Sequence, residues 1–278
     1  MGILKKKVYV EPGQEGLLER LNLHSYDSII GMSGGRLVSQ SRRKSIRVIW
    51  DAGRDPKRYF LKSLTRQRYT DILKSVLKPG PMRIITCRER HLLRFLKENG
   101  IPVMETAAWG VEEIFGIPIS GFLIVEEVKG KDFVEVYREG NRSTRNRMME
   151  GYGRLVGHMH TNGLDSLVRV SDIMCVSEEY EDFRKSMVLI DREWGALKAK
   201  TFSLDDRCYQ LGKMFVKMVR FIGMPEPRDI IHFMEGYRKE SPGDQYGVSE
   251  ILAKSKEYAS RLIKGKFRGQ DLCSAVQG

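Results

Sequence analysis

The sequence of 278 residues lacks any apolar run of the roughly 18 residues that a membrane-spanning helix needs, which argues against a helical membrane protein. Its basic start, MGILKKKVYV, is not followed by the apolar segment and small-residue cleavage site of a secretory signal. We therefore expect a cytoplasmic protein. The four cysteines lie far apart, with no Cys-x-x-Cys pair and no histidine at metal-ligand spacing, so we expect reduced thiols and no zinc site.

Acidic residues are fewer than basic ones, 36 against 48, which leaves a net charge of +12. Such an excess favours a polyanionic partner, namely nucleic acid, an anionic membrane face or a phosphorylated substrate, and charge alone does not choose among them. Because the chain shows no nucleic-acid-reading motif and no basic helical run, we predict no nucleic-acid partner.

Apolar periodicity predicts a strand-rich first half and, after Gly130, a helical second half. Lys62 ends one predicted strand, and Glu89 lies on a predicted helix that Gly100 terminates. The predicted strands span residues 33–40, 45–50, 58–62, 101–104, 121–128, 172–176 and 187–191. The predicted helices span residues 81–99, 146–160, 203–222, 227–239 and 247–264.

The order of three residues indicates a phosphoryl-transfer site. Such a site needs a cation on the nucleotide phosphates, a carboxylate that holds this cation, and carboxylates for magnesium. Kinases carry the lysine on a strand, the glutamate on the following helix and the metal-binding aspartate after a later strand. Lys62, Glu89 and Asp191 occur in that order, although each alone is more often an ordinary surface or structural residue.

Four segments resemble, in order, the motifs of one known family. They are RLVSQSRRKSIRV with RYFLK (36–48 and 58–62), RERHLLRFLKENGIPV (88–103), LIDREW (189–194) and RDIIHFMEGYR (228–238). Over roughly residues 21–237 the chain resembles the lipopolysaccharide kinases of the Kdo/WaaP type, which have a protein-kinase-like fold.

This resemblance implies an α+β fold of two lobes. Residues 1–128 would form an N-terminal, nucleotide-binding lobe of antiparallel strands with one main helix. Residues 129–278 would form a mostly helical C-terminal lobe with the catalytic and metal-binding loops. The function implied is that of a kinase that uses ATP and Mg²⁺ to phosphorylate a sugar hydroxyl, heptose or Kdo, of the lipopolysaccharide inner core. Such an acceptor is an anionic glycolipid at the cytoplasmic face of the inner membrane, where a basic protein could bind peripherally.

By the same resemblance, Lys62 would contact the nucleotide phosphates, Glu89 would hold Lys62, and Asp191 would bind magnesium. Glu126 and Val128 would contact the nucleotide at the hinge between the lobes. Gly34 and Gly35 supply backbone freedom for a turn over the phosphates, but they do not form the G-x-G-x-x-G of protein kinases, and a tight structural turn explains them equally well.

The catalytic loop departs from the family pattern. Ser166, Leu167 and Val168 stand about where the family has a His-Arg-Asp triplet, and Asp172 falls where the second metal ligand would be. In one interpretation Asp165 positions the acceptor hydroxyl, which requires hydrogen-bond reach of its proton. In the other, Asp165 is only a turn residue after Asn162-Gly163, and the protein is a pseudokinase or nucleotide-binding scaffold.

Overall fold

The computed structural model describes residues 4–51, 56–67, 70, 72, 84–192, 195–241 and 247–266. The chain divides into two compact units. Unit 1 comprises residues 1–129 and 190–197, and unit 2 comprises residues 130–189 and 198–278. The start of the predicted helix, residues 81–83, lies outside the described residues.

Unit 1 contains one antiparallel sheet with the strand order β1-β5-β6-β4-β3-β2. The strands are β1 (Leu4–Val10), β2 (Arg36–Gln40), β3 (Lys44–Asp51), β4 (Lys57–Leu64), β5 (Thr106–Ile114) and β6 (Ile117–Glu126). Its helices are α1 (Leu17–Arg20), α2 (Tyr26–Ile30) and α3 (Ile85–Glu98).

In unit 2, short strands β7 (Lys131–Asp132), β8 (Ile173–Cys175) and β9 (Met187–Leu189) form a small antiparallel sheet. The helices are α4 (Phe133–Glu139), α5 (Arg142–Thr161), α6 (Phe183–Ser186), α7 (Leu204–Ile222), α8 (Pro227–Lys239) and α9 (Val248–Lys266). Of the helices in the described residues, none is long and apolar enough to cross a membrane.

The prediction of a strand over residues 101–104 is wrong, because the strand begins later, at Thr106. Ile101 is buried in a loop and Val103 forms only an isolated bridge, so the apolar character of this segment reflects burial rather than a strand. Pro102 between them has no N–H to contribute to a strand ladder. The strand β1 was not predicted.

The large sheet has a different helical cover on each face. Leu61 belongs to a core cluster with Leu17 of α1 and Ile29 of α2. Leu64 instead packs with Cys87 of α3. Because successive side chains of a strand point to opposite faces, Lys62 lies on the face of Leu64, which is the face that α3 covers.

Helix α3 ends where the sequence predicts. Gly100 adopts a left-handed conformation (φ 75°) that glycine reaches without a Cβ penalty. Its N–H donates to the carbonyl of Lys97, and the N–H of Ile101 donates to that of Leu96, both at 3.0 Å. These two bonds form a Schellman motif, which satisfies carbonyls at the helix end and fixes the helix below the sheet.

In unit 2, helices α5 and α8 lie in contact along glycines. A Cβ on Gly153 of α5 would clash with the carbonyl oxygen of Phe233, and one on Gly236 of α8 would clash with that of Glu150. Glycine at these two positions therefore allows the backbones to approach closely. The buried rings of Tyr152 and Phe233 pack edge to face at 5.4 Å beside this contact.

Candidate functional site

Lys62 of β4 lies between two carboxylates in unit 1. Its Nζ donates to Oε1 of Glu89 on α3 at 2.7 Å and also to Oδ1 of Asp191, which follows β9 by two residues. The structure therefore brings together the three residues that the sequence singles out. Strand alternation points Lys62 toward α3, and one more helical turn would move Glu89 out of reach.

The three side chains differ in exposure, and this difference defines their electrostatics. Glu89 is 3% exposed and Lys62 12%, whereas Asp191 is 53% exposed. Burial disfavours the charged form of Lys62, but the neighbouring charges of Glu89 and Asp191 outweigh it and raise the pKa of the ammonium. Lys62 is thus a permanently charged cation whose buried partner is fixed and whose second partner reaches solvent.

Asp191 has an unusual backbone conformation. Its φ of 55° lies in the left-handed region, which L-residues other than asparagine and aspartate enter rarely. Such conformations persist only where the surrounding structure imposes them, and they concentrate at functional sites. The conformation turns the chain directly after Ile190 and presents the carboxylate to Lys62.

Strand register places a group of apolar side chains beside Lys62 that the sequence analysis missed. Phe60 pairs with Val48 of β3 and with Val125 of β6, and Lys62 pairs with Leu123 of β6. Paired residues point to the same face of a sheet, so these apolar side chains share the face of Lys62. The alternation of side chains within RYFLK and LIVE shows which residues of each strand share a face. Only the pairing of the strands shows that these faces are the same.

Glu126 and Val128, the predicted hinge contacts, lie at and just after the end of β6. The side chain of Glu126 forms an ion pair with Lys57 at 2.9 Å, and its N–H donates to the carbonyl of Glu105. Any contact of Glu126 with a nucleotide would therefore come from its carbonyl group. Their role as nucleotide contacts stays a prediction.

Gly34 and Gly35 precede β2 rather than lying in the turn between β2 and β3. Gly35 has a φ of 76°, and a Cβ there would clash with the carbonyl oxygen of Val48, so packing against β3 already requires a glycine. The β2–β3 turn itself consists of Ser41, Arg42 and Arg43, and it contains no glycine. Nucleotide binding by the two glycines stays a prediction.

Asp165 lies in unit 2, after α5, at the end of a polar network. It accepts hydrogen bonds from the amide of Gln210 on α7 and forms an ion pair with Lys200 at 3.0 Å. The segment that carries Lys200 is tied to the loop by a bond from the Lys200 N–H to the Gly163 carbonyl, 2.9 Å long. The carboxylate is therefore held by two donors, one of them charged.

His160 orients Gln210 from the buried side. Burial lowers the pKa of His160 to about 4, so the imidazole is neutral at physiological pH. Its Nδ1 lies 3.0 Å from the hydroxyl of Tyr237 and its Nε2 3.3 Å from the amide oxygen of Gln210. A neutral ring that donates from Nε2 and accepts at Nδ1 satisfies both contacts and leaves the Gln210 amide nitrogen to donate to Asp165.

Asp172 is buried directly before β8 and already has partners. It accepts hydrogen bonds from Arg169 at 2.7 Å and from the Ser171 hydroxyl at 3.0 Å. In the neighbouring loop the buried residue Val168 uses its carbonyl to accept from the hydroxyl of Tyr152. The segment that replaces the family triplet thus contributes packing and a backbone acceptor.

The predicted site residues fall into two groups, one in each unit of the chain. Lys62, Glu89 and Asp191 meet in unit 1, whereas Asp165 and Asp172 belong to unit 2. Within the described part of the chain, no group of three or more His, Cys, Asp or Glu side chains is arranged to hold a metal ion. A metal ion bound by one of these carboxylates would need further ligands, and substrate phosphates supply such ligands to Mg²⁺ in many enzymes.

Comparison with known proteins adds to this geometry. The model of the lipopolysaccharide kinase (Kdo/WaaP) family matches residues 35–237. A solved structure of WaaP in complex with acyl carrier protein is 17% identical, with 92% of this chain and 99% of that chain covered at a TM-score of 0.62. Two structures of WbdD, also 17% identical, cover 84% of this chain and 48% and 47% of theirs at TM-scores of 0.44 and 0.42. No curated protein matches the sequence.

The likeness to WaaP shows an α+β, protein-kinase-like fold, as the sequence predicts. The family match spans most of the chain and includes Lys62, Glu89 and Asp191. The chain belongs to the lipopolysaccharide kinase (Kdo/WaaP) family.

Proposed function

We propose that this protein is a kinase that uses ATP and Mg²⁺ to phosphorylate a heptose or Kdo hydroxyl of the lipopolysaccharide inner core. The observation that carries the proposal is the placement of Lys62 between buried Glu89 and half-exposed Asp191. Family membership supports phosphotransfer as the class of reaction. The acceptor would reach the enzyme at the cytoplasmic face of the inner membrane.

In this proposal residues 1–128 bind the nucleotide. Lys62 neutralises charge on the phosphates, and Glu89 keeps the ammonium in place, which removes the cost of orienting it during the reaction. The half-buried side chain of Phe60, on the same face as buried Val48 and Val125, would contact the nucleobase, and backbone groups of Glu126 and Val128 would complete its binding. Gly34 and Gly35 would assist at the phosphates.

The chemistry of Asp191 fits a magnesium ion. Its carboxylate is a hard oxygen ligand that reaches solvent, and Mg²⁺ is commonly held by one or two carboxylates together with substrate phosphates. Asp172, directly before β8, would be the second carboxylate, and binding there would have to displace Arg169 or share its carboxylate. When bound, the ion would neutralise the charge of the transferring phosphoryl group.

Residues 129–278 would carry the acceptor chemistry. The acceptor hydroxyl oxygen forms a bond to the γ-phosphorus while the bond from this phosphorus to the ADP oxygen breaks, and the hydroxyl proton passes to the carboxylate of Asp165. Gln210 and Lys200 hold that carboxylate in one orientation, from which it would accept the proton.

A second candidate is a pseudokinase that binds nucleotide without transferring phosphate. The observation that favours it is the catalytic loop, where Ser166, Leu167 and Val168 replace the family triplet and Val168 is buried. Because positioning and charge stabilisation supply most of phosphoryl-transfer catalysis, loss of the base alone need not abolish turnover.

Transfer of labelled phosphate from ATP to dephosphorylated lipopolysaccharide core separates the two candidates. The kinase proposal expects transfer by the wild type, its loss in Asp191→Asn, and a fall of about 100-fold or more in kcat for Asp165→Asn. Nucleotide binding without any transfer would instead establish the pseudokinase. Undiminished turnover of Asp165→Asn would remove that residue from the mechanism.

A further inference from the structure

The hairpin turn between β5 and β6 exposes a bulky apolar residue. Phe115 is 76% exposed, and Ile114 pairs with Ile117 on either side of the two-residue turn Phe115-Gly116. Both turn residues have positive φ, 50° for Phe115 and 77° for Gly116, as a type I′ turn requires.

Folding gives no reason for a phenylalanine at this position. The first residue of a type I′ turn is normally asparagine, aspartate or glycine, because a bulky side chain is strained at positive φ. Phe115 also buries little of its ring, so it gains almost no hydrophobic stabilisation in return. A strained, exposed aromatic side chain is explained if it contributes to binding rather than to the fold.

Strand register shows which elements share this end of the sheet. Leu4, the start of β1, pairs with Ile114, and Leu64, the end of β4, pairs with Gly121. Lys44, the start of β3, pairs with Leu64. The N–H of Thr65 donates to the carbonyl of Arg43, which places the β2–β3 turn beside the end of β4. The β5–β6 turn, the β2–β3 turn and the start of β1 therefore lie at one end of the sheet, here termed the basic sheet end.

Cations outnumber carboxylates among the described residues of the basic sheet end. Its cationic residues are Lys5, Arg42, Arg43, Lys44 and Arg66, all exposed except half-buried Arg43. The nearest carboxylates on β5, Glu112 and Glu113, are ion-paired with Lys6 and Lys7. The described stretches 36–50, 56–67 and 114–121 contain no aspartate or glutamate. Exposed apolar side chains at this end are Leu4, half exposed, and Phe115.

We propose that the basic sheet end docks on an anionic phospholipid bilayer, with Phe115 inserted at the headgroup level and Arg42 and Arg43 against lipid phosphates. Aromatic rings favour the interface of a bilayer, and each cation near an anionic surface adds to the attraction. A protruding apolar turn ringed by cations fits a soft, flat surface, whereas a nucleic acid would leave the ring of Phe115 without an apolar partner.

The proposed orientation would bring β4, with Lys62 two residues before its end, close to the bilayer. A glycolipid acceptor lies at the same surface, so docking would favour the reaction proposed above. The docking itself does not depend on that reaction, and it is tested without any turnover.

The test is co-sedimentation of the full-length chain with vesicles of equal parts phosphatidylcholine and phosphatidylglycerol, alongside pure phosphatidylcholine vesicles and double-stranded RNA. We expect binding to the anionic vesicles at low salt, about tenfold weaker for Phe115→Asn at every salt concentration. The pair Arg42→Gln and Arg43→Gln should weaken binding about tenfold or more at low salt and far less at high salt.

Phe115→Asn has a second, opposite readout. Asparagine tolerates positive φ, so this variant should melt at a higher temperature than the wild type while it binds vesicles less well. Matched controls are Met224→Asn, an apolar residue 62% exposed in unit 2, and the pair Arg220→Gln and Lys256→Gln, both exposed. Neither control should change vesicle binding.

Three results would overturn the proposal. One is the absence of vesicle binding by the wild type. Another is that Phe115→Asn binds the anionic vesicles as tightly as the wild type, which would mean that charge alone causes the binding. The third is stronger binding to RNA than to anionic vesicles with no effect of Phe115→Asn, which would assign the surface to nucleic acid.

Discussion

Replacing Lys62 by methionine should destabilise the protein because it removes the ion-pair partner of a buried carboxylate, that of Glu89. Glu89 is 3% exposed and has Lys62 as an ion-pair partner at 2.7 Å, whereas Asp191 is 53% exposed and stays solvated without the lysine. Removing one member of a buried ion pair costs about 3–5 kcal/mol, and with one buried partner we expect about 3 kcal/mol. For a chain of this size that corresponds to a fall of roughly 6–12 °C in melting temperature.

The double variant Lys62→Met with Glu89→Met separates stability from function. Apolar side chains of similar volume often replace a buried ion pair at no cost, so the double variant should melt near the wild-type temperature. Lys97 and Glu105, an exposed pair at 2.6 Å, provide the matched control, and Lys97→Met should cost less than about 1 kcal/mol. Thermal and urea unfolding of the wild type, the two single variants and the double variant measure these differences in stability. A double variant as unstable as Lys62→Met, or equal costs for Lys62→Met and Lys97→Met, would refute the reasoning.

Three further predictions concern unit 2. First, the folded-state pKa of His160 lies near 4, below its ordinary value of 6.5, so only the unfolded state takes up this proton between those pH values. Unfolding free energy should therefore fall as pH drops from 6.5 to 4, and His160→Gln should lose that part of the dependence in urea titrations. Second, Gly153→Ala should cost more than about 2 kcal/mol by forcing α5 from α8, whereas Gly223→Ala, which meets no neighbouring atom but has a φ of 80°, should cost about 1 kcal/mol, both by thermal unfolding. Third, Lys200→Met should lower kcat about tenfold with KM for ATP unchanged, whereas Lys254→Met, which breaks a comparable pair with Asp205 at 2.7 Å, should leave both unchanged.

Local patterns predicted much of the fold correctly. The alternation that ends in Lys62 and the apolar face of the helix with Glu89 come from side-chain periodicity, which the sequence displays directly. The prediction of a strand over residues 101–104 was wrong because Ile101 and Val103 are apolar and buried without belonging to a strand. The pairing of Phe60 with Val125 joins segments far apart in the chain, and no local pattern encodes such a register.

The candidate site shows the same division. The order of Lys62, Glu89 and Asp191 could be predicted, because a known chemistry requires those residue types in that sequence. The network from Tyr237 through His160 and Gln210 to Asp165 could not, since it joins α5, α7 and α8 through tertiary packing. The backbone strain at Phe115 could not be predicted either, because a phenylalanine does not indicate the type I′ turn in which it lies.

The central claim is that Lys62, Glu89 and Asp191 bind the nucleotide. Its most direct test is the change in melting temperature when ATP and Mg²⁺ are added, with each variant compared with its own ligand-free value. At about 100 times the dissociation constant, binding adds about 2.7 kcal/mol, or roughly 5–11 °C. We predict this shift for the wild type and its loss in Asp191→Ala and in the stable Lys62→Met, Glu89→Met double variant. A wild type that does not respond, or variants that shift as much as the wild type, would contradict the account.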